Sequence, residues 1–113
     1  MIVDSAPKCL LVEDEESMLV LLSKYLEMLG FDTIVAHDGE EGFAVFREHH
    51  PSLVVSDIHM RNGNGLLLLR DIRRMNPDCP VILVTGWLVN YQADLNRNQI
   101  RPDALIEKPF DLA

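Results

Sequence analysis

The stretch LVVSDIHMRNGNG, residues 53–65, decides the fold: three apolar residues and a serine lead into Asp57, after which asparagines and glycines break the chain. A short apolar run bounded by turn residues reads as a strand covered on both faces, and open α/β sheets place their sites at the C-terminal ends of such strands. Asp57 therefore stands where chemistry is expected. Aspartate also favours turns for its own hydrogen bonding, and from this stretch alone the turn reading is the stronger one.

Four more runs of this kind lie outward from it: CLLVE at 9–13, TIVAH at 33–37, VILVT at 81–85 and ALIEK at 104–108. Amphipathic stretches separate them, which is the pattern of βα units winding a parallel sheet. Met18, Leu19, Leu22, Tyr25, Leu26 and Leu29 recur at helical spacing and are expected to line one buried face, with Gly30 stopping the helix. Asp38 with Glu41 three residues on opens a short second helix, with Phe43 and Phe46 toward the sheet and Pro51 past its exit. Leu66, Leu69, Ile72 and Arg73 carry a third helix as far as Pro77. Leu88, Tyr91 and Leu95 predict a fourth, weaker helix over 87–100. The chain stops after ALIEKPFDLA, so the expected single domain, 1–113, ends after its fifth strand without a last helix, leaving one sheet flank open.

With 113 residues, 48% hydrophobic and 25% charged, the chain has the makings of one core. Its formal net charge of -8, with scattered basic residues, argues against direct nucleic-acid contact and favours cationic partners or bound cations. The sequence offers neither a membrane-length apolar run nor the plan of a secretory signal, so a cytoplasmic location is expected. Cys9 and Cys79 lack the spacing of a zinc or redox motif and read as buried free thiols, while His49 and His50 read as a solvated helix end.

In a parallel sheet all strand C-termini share one edge. The first run delivers Glu13 and Asp14 there, the third Asp57, the fourth Thr85 with Gly86, and the fifth Lys108 with Pro109. Clustered carboxylates stay ionised only when positive charge compensates them, and Lys108 alone is too little. An all-oxygen set suits a hard divalent ion, Mg2+ first. Such a metal could hold a phosphoryl donor against the Asp57 carboxylate, a competent nucleophile, with Thr85 and Lys108 liganding the transferred oxygens. Any one of these residues alone reads as a solvated loop residue; four strand ends carrying them together do not.

At these residues the sequence resembles the receiver domain of two-component response regulators, through LLVEDEESM, LVVSDIHMRNGNG, VILVTG and EKPF, over nearly the whole chain. The resemblance implies a flavodoxin-like doubly wound α/β fold with five parallel strands in order 2-1-3-4-5. It also implies a sensor histidine kinase or phosphotransfer domain as phosphodonor, an unnamed downstream protein, and Mg2+ as cofactor. By the same resemblance Asp57 is phosphorylated, Asp14 and Asp57 bind the metal with the backbone carbonyl of His59, and Glu13 orders metal-bound water. Thr85 and Lys108 bind the phosphoryl group, and Lys108-Pro109 is a cis bond. The region from the fourth to the fifth helix is implied to form the partner or homodimer face.

The chain departs from the family pattern at several positions. Arg61 stands where the family often has proline, and GNG at 63–65 replaces the usual MDG, predicting a more mobile loop with Arg61 open to a partner. Leu105 replaces the aromatic residue that commonly swings inward with the hydroxyl, so switching is expected to run through the loop and helix after Thr85 instead, with Trp87 as reporter. By the same resemblance the positions of His59 and Trp87 flank the route of hydrolytic water; Trp87 is expected to shield the phosphorylated form and His59 to orient water if its ring points inward. The domain is expected to catalyse its own phosphorylation and dephosphorylation without free-standing metabolic activity. Three alternatives stay open, in falling order of fit: an unphosphorylated interaction module, a small Mg2+-dependent phosphohydrolase with His59 as general acid, and a flavin binder, which EDEES after the first strand disfavours by repelling a phosphate.

Overall fold

A computed structural model of the chain describes residues 6–86 and 101–108. Its elements follow in the order β1 (Lys8–Val12), α1 (Glu16–Met28), β2 (Asp32–Ala36), α2 (Gly39–His49), β3 (Leu53–Asp57), α3 (Gly65–Met75), β4 (Val81–Thr85) and β5 (Ala104–Glu107). The five strands form one parallel sheet in the order β2-β1-β3-β4-β5. The expected fourth helix, together with Trp87 and Pro109, lies outside the described residues.

The pleat sorts the strand residues onto two faces. Leu10, Val12, Val54, Val81 and Leu83 join Phe46 of α2 and Leu68, Leu69 and Ile72 of α3 in one buried cluster. Cys9, Leu11, Val55 and Val84 join Leu19, Leu22 and Leu26 of α1 in the other. Central strands buried on both sides carry the near-continuous apolar runs that the sequence displays. Both thiols are buried and free.

Leu29 departs from its expected place on the buried stripe. It is 58% exposed, because α1 ends at Met28 and Leu29 becomes the C-cap. Gly30, at φ 98°, turns the chain, its N–H bonding Glu27 at 3.0 Å, while the Phe31 N–H reaches Leu26 at 3.1 Å. Phe31, beyond the turn, packs on the α1 cluster in its stead. On that side of the sheet, among the described residues, a wholly apolar groove of about 170 Å3 lies between α1 and β5, lined by residues that include Leu22, Tyr25, Phe31, Val84 and Ile106.

Candidate functional site

Parallel register brings the expected residues to one edge. Val12 pairs with Ser56, Asp57 with Val84 and Thr85 with Glu107, so the residues that leave β1, β3, β4 and β5 emerge side by side. Asp57 is the last residue of its strand and Glu13 the first after β1. Asp14, Asp57, His59, Gly86 and Lys108 line a pocket of about 280 Å3 with Glu15. Glu13 and Thr85 lie fully buried beside it, at 1% and 0% exposure. Leu105 pairs with Leu83 in register and packs, partly buried, against the α2–α3 core.

Two backbone features hold the C-terminal end of β3. The Ile58 N–H bonds the Val84 carbonyl at 3.0 Å, continuing the sheet, and the Gly65 N–H bonds the Ile58 carbonyl at 2.8 Å, folding α3 back beneath the strand end. A β-carbon on Gly65 would collide with the Asp57 carbonyl oxygen and lie 3.0 Å from the Ile58 Cα, so the approach requires glycine.

The three carboxylates offer oxygens that all lie within 4.8 Å of one another. The Lys108 ammonium spans two of them, donating to Glu13 Oε1 at 3.0 Å and to Asp57 Oδ2 at 3.1 Å. Glu13 Oε2 accepts the N–H groups of Asp14 and Glu15 at 3.1 and 3.2 Å, and Asp57 Oδ1 accepts the His59 N–H at 3.3 Å. Burial pushes the Glu13 carboxyl above the usual carboxylate range, against the opposing bond from Lys108. Burial draws the Lys108 ammonium down, but its bonds to Glu13 and Asp57 outweigh this and leave it above the ordinary lysine value. The lysine thus stays charged where a buried amine would otherwise shed its proton.

The structure brings together Glu13, Asp14, Asp57, His59, Thr85, Gly86 and Lys108, as the strand-end argument requires. The structure adds a contact: the Arg61 N–H donates to Asp14 Oδ2 at 3.2 Å and its Nε lies 3.6 Å from the same oxygen, while the side chain stays exposed. The loop is tied to the start of α2, where the Gly39 N–H bonds the Asn62 carbonyl at 3.0 Å and the Asn62 amide reaches Asp38 Oδ2 at 3.4 Å. The shortage of positive charge beside three acids was the available signal for a second cation.

Comparison with known proteins agrees with this geometry. Residues 9–113 match the family described as "Response regulator receiver domain". The transcriptional regulatory protein RprY of Bacteroides fragilis is 32% identical over 96% of this chain and 46% of its own length. The autoinducer 1 sensor kinase/phosphatase LuxN of Vibrio harveyi is 29% identical over 96% of this chain but only 13% of its own length, so the chain spans less than half of either relative. Among solved structures, the response regulator TrrA of Thermotoga maritima, in complex with Mg(2+)-BeF, superposes with a TM-score of 0.83 and 30% identity over 93% of this chain and 89% of its own.

Proposed function

Because this chain belongs to the response regulator receiver domain family, we propose that it accepts a phosphoryl group on Asp57 and uses it to switch the binding of a downstream protein. The observation that carries the reading is the Asp57 carboxylate, held at a strand end by the His59 N–H and bridged by Lys108 to a second buried acid. The donor is the phosphohistidine of a sensor histidine kinase or phosphotransfer domain. An Asp57 oxygen attacks the phosphorus, the new O–P bond replaces the N–P bond, and the leaving imidazole nitrogen takes up a proton. Attack by water on the resulting acyl phosphate, with inorganic phosphate leaving, resets the domain.

The oxygen donors of Asp14 and Asp57, with Glu13 alongside, suit a hard divalent cation, and the family resemblance adds the His59 backbone carbonyl to the set. Bound Mg2+ supplies charge neutralisation for the transferring phosphoryl oxygens. Thr85 and Lys108 then position those oxygens, Lys108 exchanging its bond to Asp57 for one to the phosphoryl group. TrrA, solved with Mg(2+)-BeF, supports this placement by likeness. A net charge of -8 favours a protein as the downstream partner of this domain over direct contact with nucleic acid. Among the described residues no helix is long and apolar enough to cross a membrane.

The test is the intact mass of the protein after incubation with acetyl phosphate, with and without Mg2+, beside Asp57→Asn. A single Mg2+-dependent phosphoryl adduct on the wild type, absent from the variant, is expected. A folded wild type that takes up no phosphoryl group would instead favour the unphosphorylated interaction module.

A further inference from the structure

The three acids of the pocket do not share their positive charge equally. Lys108, with its side chain 17% exposed, is committed to Glu13 and Asp57. Asp14 meets a different cation, the Arg61 guanidinium, which is 83% exposed and 3.6 Å from Asp14 Oδ2. The same oxygen accepts the Arg61 N–H, so the contact is delivered by backbone as well as side chain. That backbone is pinned from behind by the bonds of Asn62 to Gly39 and Asp38, and Gly63, at φ 76°, turns the loop against the start of α2.

The two cations differ in how readily they can leave. Withdrawing Lys108 would strand the buried Glu13 carboxylate, whereas an exposed guanidinium swings into water at little cost. A divalent ion on the Asp14 carboxylate would meet the positive charge of Arg61 at close range, so the two compete for the same acid.

We propose that Arg61 is a displaceable counter-ion: it holds Asp14 while the pocket lacks a divalent cation, is expelled when one binds, and so sets the affinity of the pocket for that cation. This rests on the reading of the pocket as a divalent-cation site. Arg61 acts through Asp14 and is a positioning residue, not a catalytic one. Its displacement also couples cation occupancy to the release of one positive charge at the mouth of the site, where the anionic phosphoryl group of the donor arrives.

Calorimetric titration of Mg2+ into the wild type, Arg61→Ala and Arg61→Lys tests this. Arg61→Ala is expected to bind Mg2+ more tightly by about two- to five-fold at low ionic strength, as suits an exposed ion pair. The gain should shrink in high salt, which screens exposed charges. Arg61→Lys, which retains the charge, should stay near the wild type. In the wild type the Arg61 Nε–H resonance should shift on Mg2+ addition as the guanidinium leaves Asp14. Equal or weaker binding by Arg61→Ala would overturn the proposal, the weaker result making Arg61 a group that orients Asp14 for the metal. If neither wild type nor variants bind Mg2+, the reading of the pocket itself fails, and the proposal falls with it.

Discussion

At the scale of single residues, Asp57 is placed by backbone as much as by charge. Gly65 touches no reacting group, yet its missing β-carbon is what lets α3 lie against the Asp57 carbonyl. Gly65→Ala should destabilise the fold by about 1–3 kcal/mol, the usual range for overpacking a filled site. It should also slow phosphorylation from acetyl phosphate, because relief of the clash has to displace the backbone of Asp57 or Ile58. Denaturant unfolding and intact mass check the two halves; unchanged stability would show that the loop yields at no cost. Gly30 makes the contrast, since nothing lies within 4 Å of its β-carbon position and only its positive φ opposes substitution. Lys108 shows the same interplay of position and charge: its high pKa comes from two acids that lie 95 and 51 residues away in sequence.

Among the described helices, two are started by side chains and one is not. Asp38 Oδ1 accepts the Glu41 N–H at 2.7 Å to cap α2, and Asn64 Oδ1 accepts the Leu67 N–H at 2.9 Å to cap α3. The Glu15 side chain makes no cap bond to α1, but the Glu13 carboxylate accepts the Asp14 and Glu15 N–H groups, joining the start of that helix to the site. Asp38→Ala and Asn64→Ala should each cost about 1 kcal/mol at neutral pH. Their pH dependence should differ. The Glu41 N–H, chiefly, holds the Asp38 carboxyl below its ordinary 3.8. A depressed carboxyl contributes stability that is fully present above that ordinary value and is lost as pH falls through the folded one. The penalty of Asp38→Ala should therefore fade in acid while that of Asn64→Ala persists, as urea unfolding at pH 7 and below pH 3 would reveal. Equal penalties at both pH values would remove the charge from the explanation. Both caps flank the 61–64 loop, so both also steady Arg61.

On the scale of the molecule, the sheet edge opposite the site is closed by a clamp. Arg73, in the last turn of α3, donates to the carbonyls of Cys79 and Arg101 and to Asp103 Oδ2, which also accepts the Val81 N–H at 2.7 Å. It ties α3 to the starts of β4 and β5, and β5 carries Lys108 toward the site. The thiols report on this architecture. Burial, reinforced by Cys79, pushes the Cys9 thiol up to about 12, and burial also raises Cys79. Neither should react with iodoacetamide at pH 8 until the protein opens. Arg73→Met should speed labelling of Cys79 by about ten-fold, the worth of about one lost charged hydrogen bond, and leave Cys9 on the interior strand β1 much less affected. Peptide mass mapping of the label reads both; equal acceleration at the two thiols would mean that the clamp stabilises the whole fold and not this edge.

What the chain determined by itself is what depends on near neighbours. Apolar runs marked the five strands to within a residue, Asp38 and Glu41 marked the start of α2, and the ends of those strands named Glu13, Asp14, Asp57 and Lys108, though not Glu15, which also lines the pocket. Periodicity and capping act over a few residues, so they are written locally. The end of α1 was misread at Leu29 because a helical stripe continues in the sequence one position beyond the turn that Gly30 makes. Which cation serves which acid was decided only in three dimensions. Arg61 reaches Asp14 across 47 residues and Arg73 reaches Asp103 across 30, and the order of strands and the pinning of loops bring such groups within bonding distance. Coulomb energy depends on separation in space, and no pattern along the chain specifies that separation.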